Sequence, residues 1–131
     1  MKITADTNIL LRTLVEDDPA QASKAAEVLA SADLIAVTTQ TLCELVWVLI
    51  RSYGVSTANV ASAIRVLAET RGVVVNRPAL DTGLAVMVEG GDFADGVIAY
   101  EGAWLGGETF VSFDTKAVSA LSRIRHSARL L

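Results

Sequence analysis

The chain has 131 residues, 52% of them hydrophobic and only 5% aromatic, which suits one domain with a mostly aliphatic core. A formal net charge of -4 excludes a globally basic nucleic-acid coat protein, and one cysteine with one histidine excludes a disulfide framework, a cysteine-cluster zinc site and histidine-rich metal chemistry. The longest apolar run, residues 45–50, is too short to span a bilayer, and Asp6 interrupts any signal-peptide pattern, so a cytoplasmic protein with no membrane association is expected.

Strand-like and helix-like patterns alternate along the chain. Residues 2–5 read as a short strand leading into a helix over about 7–15. Pro19, after Asp17 and Asp18, opens a helix to about residue 30, with Ala22, Ala25, Ala26 and Leu29 at the spacing of a buried face. Residues 34–37 form a second strand, and a helix follows from about 40 to 53, ending at Gly54. Ser56 caps the next helix, with Val60, Ala63, Ile64 and Leu67 inward, and Gly72 ends it. Residues 73–75 are a third strand. Pro78 opens a helix to Glu89, broken by Gly90 and Gly91. Residues 93–105 are helical, 109–113 a fourth strand, 114–121 a final helix and 128–131 a fifth, edge strand. This repeated order predicts an α/β fold with a mainly parallel sheet of about five strands and helices on both faces, in a single domain over 1–131.

Four carboxylates stand out. Asp6 and Asp114 directly follow strands, and Glu44 and Asp95 lie near helix starts. Residues just beyond strand C-termini gather at one edge of an open parallel sheet, where ligands bind. Each acid also has an ordinary explanation. Asp6 and Asp114 fit helix N-caps, Thr41 and Glu44 have capping-box spacing, and Asp92 and Asp95 fit a cap and a first-turn acid. Glu44 tips the balance, because its helix is apolar almost all round: Leu42, Cys43, Leu45, Val46, Val48 and Leu49. Two carboxylates ~4 Å apart repel by about 4 kcal/mol at an effective dielectric near 20, so converging acids call for a divalent cation. Oxygen ligands of this kind favour Mg²⁺ or Mn²⁺ over zinc.

The motifs carry a resemblance. Asp6-Thr7-Asn8 after the first strand, Glu44 in a hydrophobic helix, Phe93-Ala94-Asp95 at a helix start and Ser112-Phe113-Asp114 after a late strand resemble, in order, the motifs of the PIN domain family, and within it the VapC-type toxins of bacterial toxin–antitoxin pairs. The resemblance implies a three-layer α/β/α sandwich and a Mg²⁺-dependent endoribonuclease, with Mn²⁺ as a substitute ion. It implies that Asp6, Glu44, Asp95 and Asp114 are the catalytic metal-binding set, and that Asn8 and Ser112 orient them or metal-bound water from behind. Asp95 or Glu44 would serve as general base, and Thr7 is read as a helix-start residue. Gly96 departs from the pattern, standing where this group usually has alanine, which is expected to loosen the helix start. The partners implied are RNA, a cognate VapB-type antitoxin and a second copy of the chain. The antitoxin's apolar helix would lie between the helices at 20–30 and 40–53, and one of its arginines would enter the acidic site.

Other residues read as structural. Cys43 is a small buried hydrophobe, Trp47 and Trp104 suit core or interface packing, and His126 has no activating neighbour in sequence. All 15 acids lie at or before Asp114, whereas Lys116, Arg123, Arg125 and Arg129 follow it, a basic tail that could touch a phosphate backbone. A receiver-like phospho-acceptor domain fits poorly, since Asp17-Asp18 follows a helix and Lys116 follows an acid. A silent PIN-like adaptor would be expected to lack a metal ligand. The nearest alternative is a PIN nuclease of RNA processing outside a toxin pair.

Overall fold

The computed structural model describes residues 1–131 as an α/β chain of seven helices and five strands. They fall into two compact units, Met1–Val75 and Asn76–Leu131.

In the first unit, β1 (Lys2–Thr4), β2 (Leu34–Ala36) and β3 (Val73–Val74) form a parallel sheet in the order β1-β2-β3. Helices α1 (Thr7–Leu14) and α2 (Pro19–Ser31) join β1 to β2, and α3 (Thr39–Arg51) and α4 (Thr57–Glu69) join β2 to β3. Each helix starts where a side chain can satisfy an orphan amide: Asp18 accepts from Gln21, Thr38 from Thr41 and Ser56 from Asn59. Leu10, Leu11, Ile35, Leu42, Leu45, Leu49, Val60 and Ile64 are buried, an aliphatic core as the composition predicts. The α1–α2 turn is held by a network not visible in the sequence. Arg12 donates through Nη1 to Asp17 and through Nε to Gln21, both at 2.7 Å, and Tyr53 donates its hydroxyl to Asp17 at 2.7 Å. Tyr53 therefore ties the end of α3 to that turn across 36 residues of chain.

In the second unit, α5 (Arg77–Val88) and α6 (Phe93–Trp104) pack together, followed by β4 (Phe110–Ser112), α7 (Thr115–Arg123) and β5 (Ala128–Leu130). The two strands pair in parallel, with Val111 opposite Arg129. Val86, Ala99, Ala120 and Leu121 form a core cluster beneath Phe110 and Ile124. The expected loosening at Gly96 is not what the structure shows. A Cβ on Gly96 would lie 2.6 Å from the Thr82 carbonyl oxygen and 2.7 Å from Gly83 Cα, and one on Gly83 would meet the Phe93 ring at 2.7 Å. Gly96 is the point where α6 touches the backbone of α5, and its missing methyl tightens the pair.

The predicted elements are all present, with boundaries within a few residues of those expected, and no helix is long and apolar enough to cross a membrane. Of the two settings expected for the tryptophans, core or interface, the core is excluded, because Trp47 is 60% exposed and Trp104 78% exposed.

Candidate active site

Asp6 stands at the exit of β1, where the Ala5 amide donates to the Ala36 carbonyl and prolongs the ladder by one bond. Its extended backbone places it at the N-cap of α1, and its Oδ1 accepts the Thr7 amide at 2.8 Å. Thr7 is buried as the first residue of that helix. Asn8 is exposed and lines a shallow cavity of about 350 Å³ with Ile9, Arg12, Gln21 and Lys24.

Glu44 resolves one of the alternatives left open above. Helix α3 begins at Thr39 with Thr38 as its cap, so Glu44 lies beyond the first turn and cannot be a capping-box partner of Thr41. It is exposed between the buried Leu42 and Leu45, three residues before the exposed Trp47. Glu44 therefore has no local helix-terminal job.

In the second unit Asp95 lies within reach of the charges of two other acids, Asp92 and Asp114. Asp92 and Asp95 form a reciprocal capping box at the start of α6, in which the Asp92 amide donates to Asp95 Oδ2 at 3.3 Å. Asp114 caps α7, its Oδ1 accepting the amides of Lys116 at 2.9 Å and Ala117 at 3.2 Å. Ser112 Oγ accepts the Asp114 amide at 2.9 Å, so it fixes the backbone that presents Asp114 rather than the carboxylate itself. Burial pushes the Asp95 carboxyl up from its ordinary value. The negative charges of Asp92 and Asp114 push the same way, against a lowering hydrogen bond from the Asp92 amide.

Capping engages only one oxygen of each of these carboxylates. Asp6 and Asp114 cap through Oδ1 and Asp95 through Oδ2, so in each the other oxygen takes no backbone hydrogen bond. Nowhere are three or more His, Cys, Asp or Glu side chains gathered so as to hold a metal ion. The donor chemistry nevertheless suits a hard divalent cation, because each capping carboxylate keeps an oxygen free of backbone hydrogen bonds. Asp92, whose spacing of three from Asp95 fits a cap, is both the cap of α6 and a charged neighbour of Asp95.

The PIN domain family model matches residues 3–125, and the chain belongs to that family. PIN domains are generally nucleases that act on RNA with divalent metal ions. No curated protein and no solved structure matches the chain.

Proposed function

We propose that the chain is a single-domain Mg²⁺-dependent endoribonuclease, the toxin of a VapBC-type pair, in which Asp6, Glu44, Asp95 and Asp114 hold the metal. The observation that carries this reading is the spare oxygen on each capping carboxylate, together with a Glu44 that has no capping role. Bound Mg²⁺ or Mn²⁺ would supply the Lewis acidity that makes water a nucleophile toward an RNA phosphodiester. Asp95 or Glu44 is the carboxylate assigned to take the proton from that water. Ser112 holds the Asp114 backbone in place, and Asn8, next to the Asp6 motif, is assigned the same supporting role.

Cleavage assays test the reading. Asp6→Asn and Asp95→Asn should each abolish cleavage in folded protein, since an amide lacks the charge that retains the cation. Full activity of the wild type in excess EDTA would refute the metal mechanism, and active mutants would refute the residue assignment.

Two features support the partners. An apolar cleft of about 880 Å³ opens in the first unit, lined by Leu10 and Leu14 of α1, Ala26 and Leu29 of α2, and Ala63 and Val66 of α4. It suits an amphipathic antitoxin helix. The cleft lies between α2 and α4, not between α2 and α3 as the sequence suggested, because the apolar residues of α3 that face inward, Leu42, Leu45, Val46 and Leu49, are already buried. The exposed Trp47 on α3 supports a homodimer through that helix. Co-purification with the product of an adjacent small reading frame, with loss of cleavage in the complex, distinguishes a toxin from an RNA-processing nuclease that has no such partner. Light scattering at micromolar concentration checks the dimer.

A further inference from the structure

We propose that the end of α7 and strand β5 form a phosphate-binding edge for the RNA strand, anchored by Arg125; this rests on the ribonuclease reading above. Arg125 is the one non-glycine residue with a positive φ, +65°. The others are Gly54, Gly72, Gly90 and Gly106, which follow α3, α4, α5 and α6. At four helix ends, then, the chain uses the residue that adopts this conformation without strain, and at the fifth it uses arginine.

The conformation itself is needed there. The Arg125 amide donates to the Ser122 carbonyl at 3.0 Å and the His126 amide to the Leu121 carbonyl at 2.9 Å, the paired bonds that close a helix around a left-handed residue. Glycine would serve the backbone better, so the arginine is retained for its side chain. Favourable interaction with the helix dipole does not account for it, because Arg123 already places a cation in the last turn and donates to the Glu89 carbonyl. The Arg125 side chain is exposed and has no ion-pair or hydrogen-bond partner.

From residue 115 to 131 the chain carries four basic side chains and no acidic one, while Glu89, met by Arg123, and Glu108, beside the Thr109 that meets Ser127, lie on adjoining segments. No acid follows Asp114, and Arg129 lies exposed on β5, opposite the exposed Val111. A guanidinium free of protein partners is suited to bidentate contact with phosphate oxygens. The nine residues of α7 span ~14 Å and separate Asp114 at one end from Arg125 at the other. Arg125 would thus grip a phosphate a few nucleotides from the bond cut beside Asp114, setting binding rather than chemistry.

The test uses the full chain, a labelled single-stranded RNA oligonucleotide of mixed sequence, and the variants Arg125→Gly and Arg125→Lys. Arg125→Gly should raise Tm by a few degrees as strain is released. In EDTA it should weaken RNA binding, measured by fluorescence anisotropy, by roughly five- to tenfold and reduce the salt slope by about 0.7. In Mg²⁺ it should raise KM by a similar factor at unaltered kcat. Arg125→Lys should keep most of the binding while showing no gain in Tm. Unchanged binding and salt slope in Arg125→Gly would overturn the proposal, as would a fall in its Tm. Binding in EDTA separates this result from the nuclease reading: RNA bound through Arg125 without cleavage in Mg²⁺ refutes the catalytic assignment and supports the edge.

Discussion

Three alanines that face a cleft in residues 1–75 contrast with two glycines that mark close helix contact in residues 76–131. Ala26, Ala30 and Ala63 line the 880 Å³ cleft, where α1, α2 and α4 leave room that no side chain of the unit fills. Gly83 and Gly96 do the reverse and let α5 and α6 approach until a single methyl would not fit. Among the acids, Asp6, Glu44 and Asp114 are exposed, and only Asp95 is partly buried, near the charges of Asp92 and Asp114. A small residue can therefore signal either a vacant surface or a crowded contact, and only the opposing element decides which.

The sharpest way to break this contrast is Gly96→Ala. The added methyl meets backbone atoms, which cannot swing aside, so the helices must separate. Alanine's better helix propensity returns ~1 kcal/mol. The net loss should be about 2 kcal/mol, seen as a lower denaturation midpoint at unchanged slope. A stabilised Gly96→Ala would show that the close contact is not real.

The charged half of the comparison comes next in size. Asp95 has a raised folded-state value, so its ionised form opposes folding at every pH above that value. Asp95→Asn should raise the Tm of metal-free protein at neutral pH while keeping an acceptor for the Asp92 amide. Glu44→Gln, at an exposed position, should leave that Tm unchanged. Adding Mg²⁺ at ten times its Kd should stabilise the wild type by about 1.4 kcal/mol and abolish the advantage of Asp95→Asn. Equal responses to Mg²⁺ in wild type and mutant would remove Asp95 from the metal set.

Much of this was legible beforehand. Pro19, Ser56 and Gly54 punctuate helices through local chemistry, which is why the element order could be read from residue types alone. Asp6, Asp95 and Asp114 were visible because each sits at a strand exit or a helix start, and Glu44 because it is a charge in an apolar helix. What could not be read depends on partners distant in sequence. Gly96 looked like a weak helix residue because the Thr82 carbonyl that it touches belongs to another helix. Trp47 fitted core or interface alike because its neighbours in sequence are apolar, and its exposure on the outer face of α3 excludes the core. The partner's groove was expected between α2 and α3 because apolar surface is countable in sequence, whereas its burial is not.

The Arg12–Asp17–Tyr53 network gives a smaller effect in the first unit. Hydrogen bonding from Tyr53, and then the charge of Arg12, hold the Asp17 carboxyl below its ordinary value. A depressed carboxylate contributes stability above its unfolded value of about 3.9, and loses it as pH falls through the lower folded value. The Tm difference between wild type and Asp17→Asn should accordingly be present at pH 7 and shrink below about pH 4. A difference that grows in acid would reverse the assignment.

The smallest expected effect completes the contrast by repeating the Gly96 experiment where there is room. Ala63 lies on α4 facing the cleft, so Ala63→Leu adds three carbons to open space rather than to a backbone contact. Leucine has good helix propensity and can lay its side chain against Leu10 and Leu67, which line the same cleft. Stability should rise by about 0.5 kcal/mol or stay level, the usual range for filling a vacant apolar site. The same substitution should matter far more to a partner than to the fold. If the antitoxin helix lies in this cleft, Ala63→Leu should leave RNA cleavage by the free protein intact while weakening capture of the antitoxin and relieving its inhibition. A variant that is inhibited as tightly as the wild type would place the partner's helix elsewhere, and the cleft would then be only a gap that the short side chains of α2 and α4 fail to close.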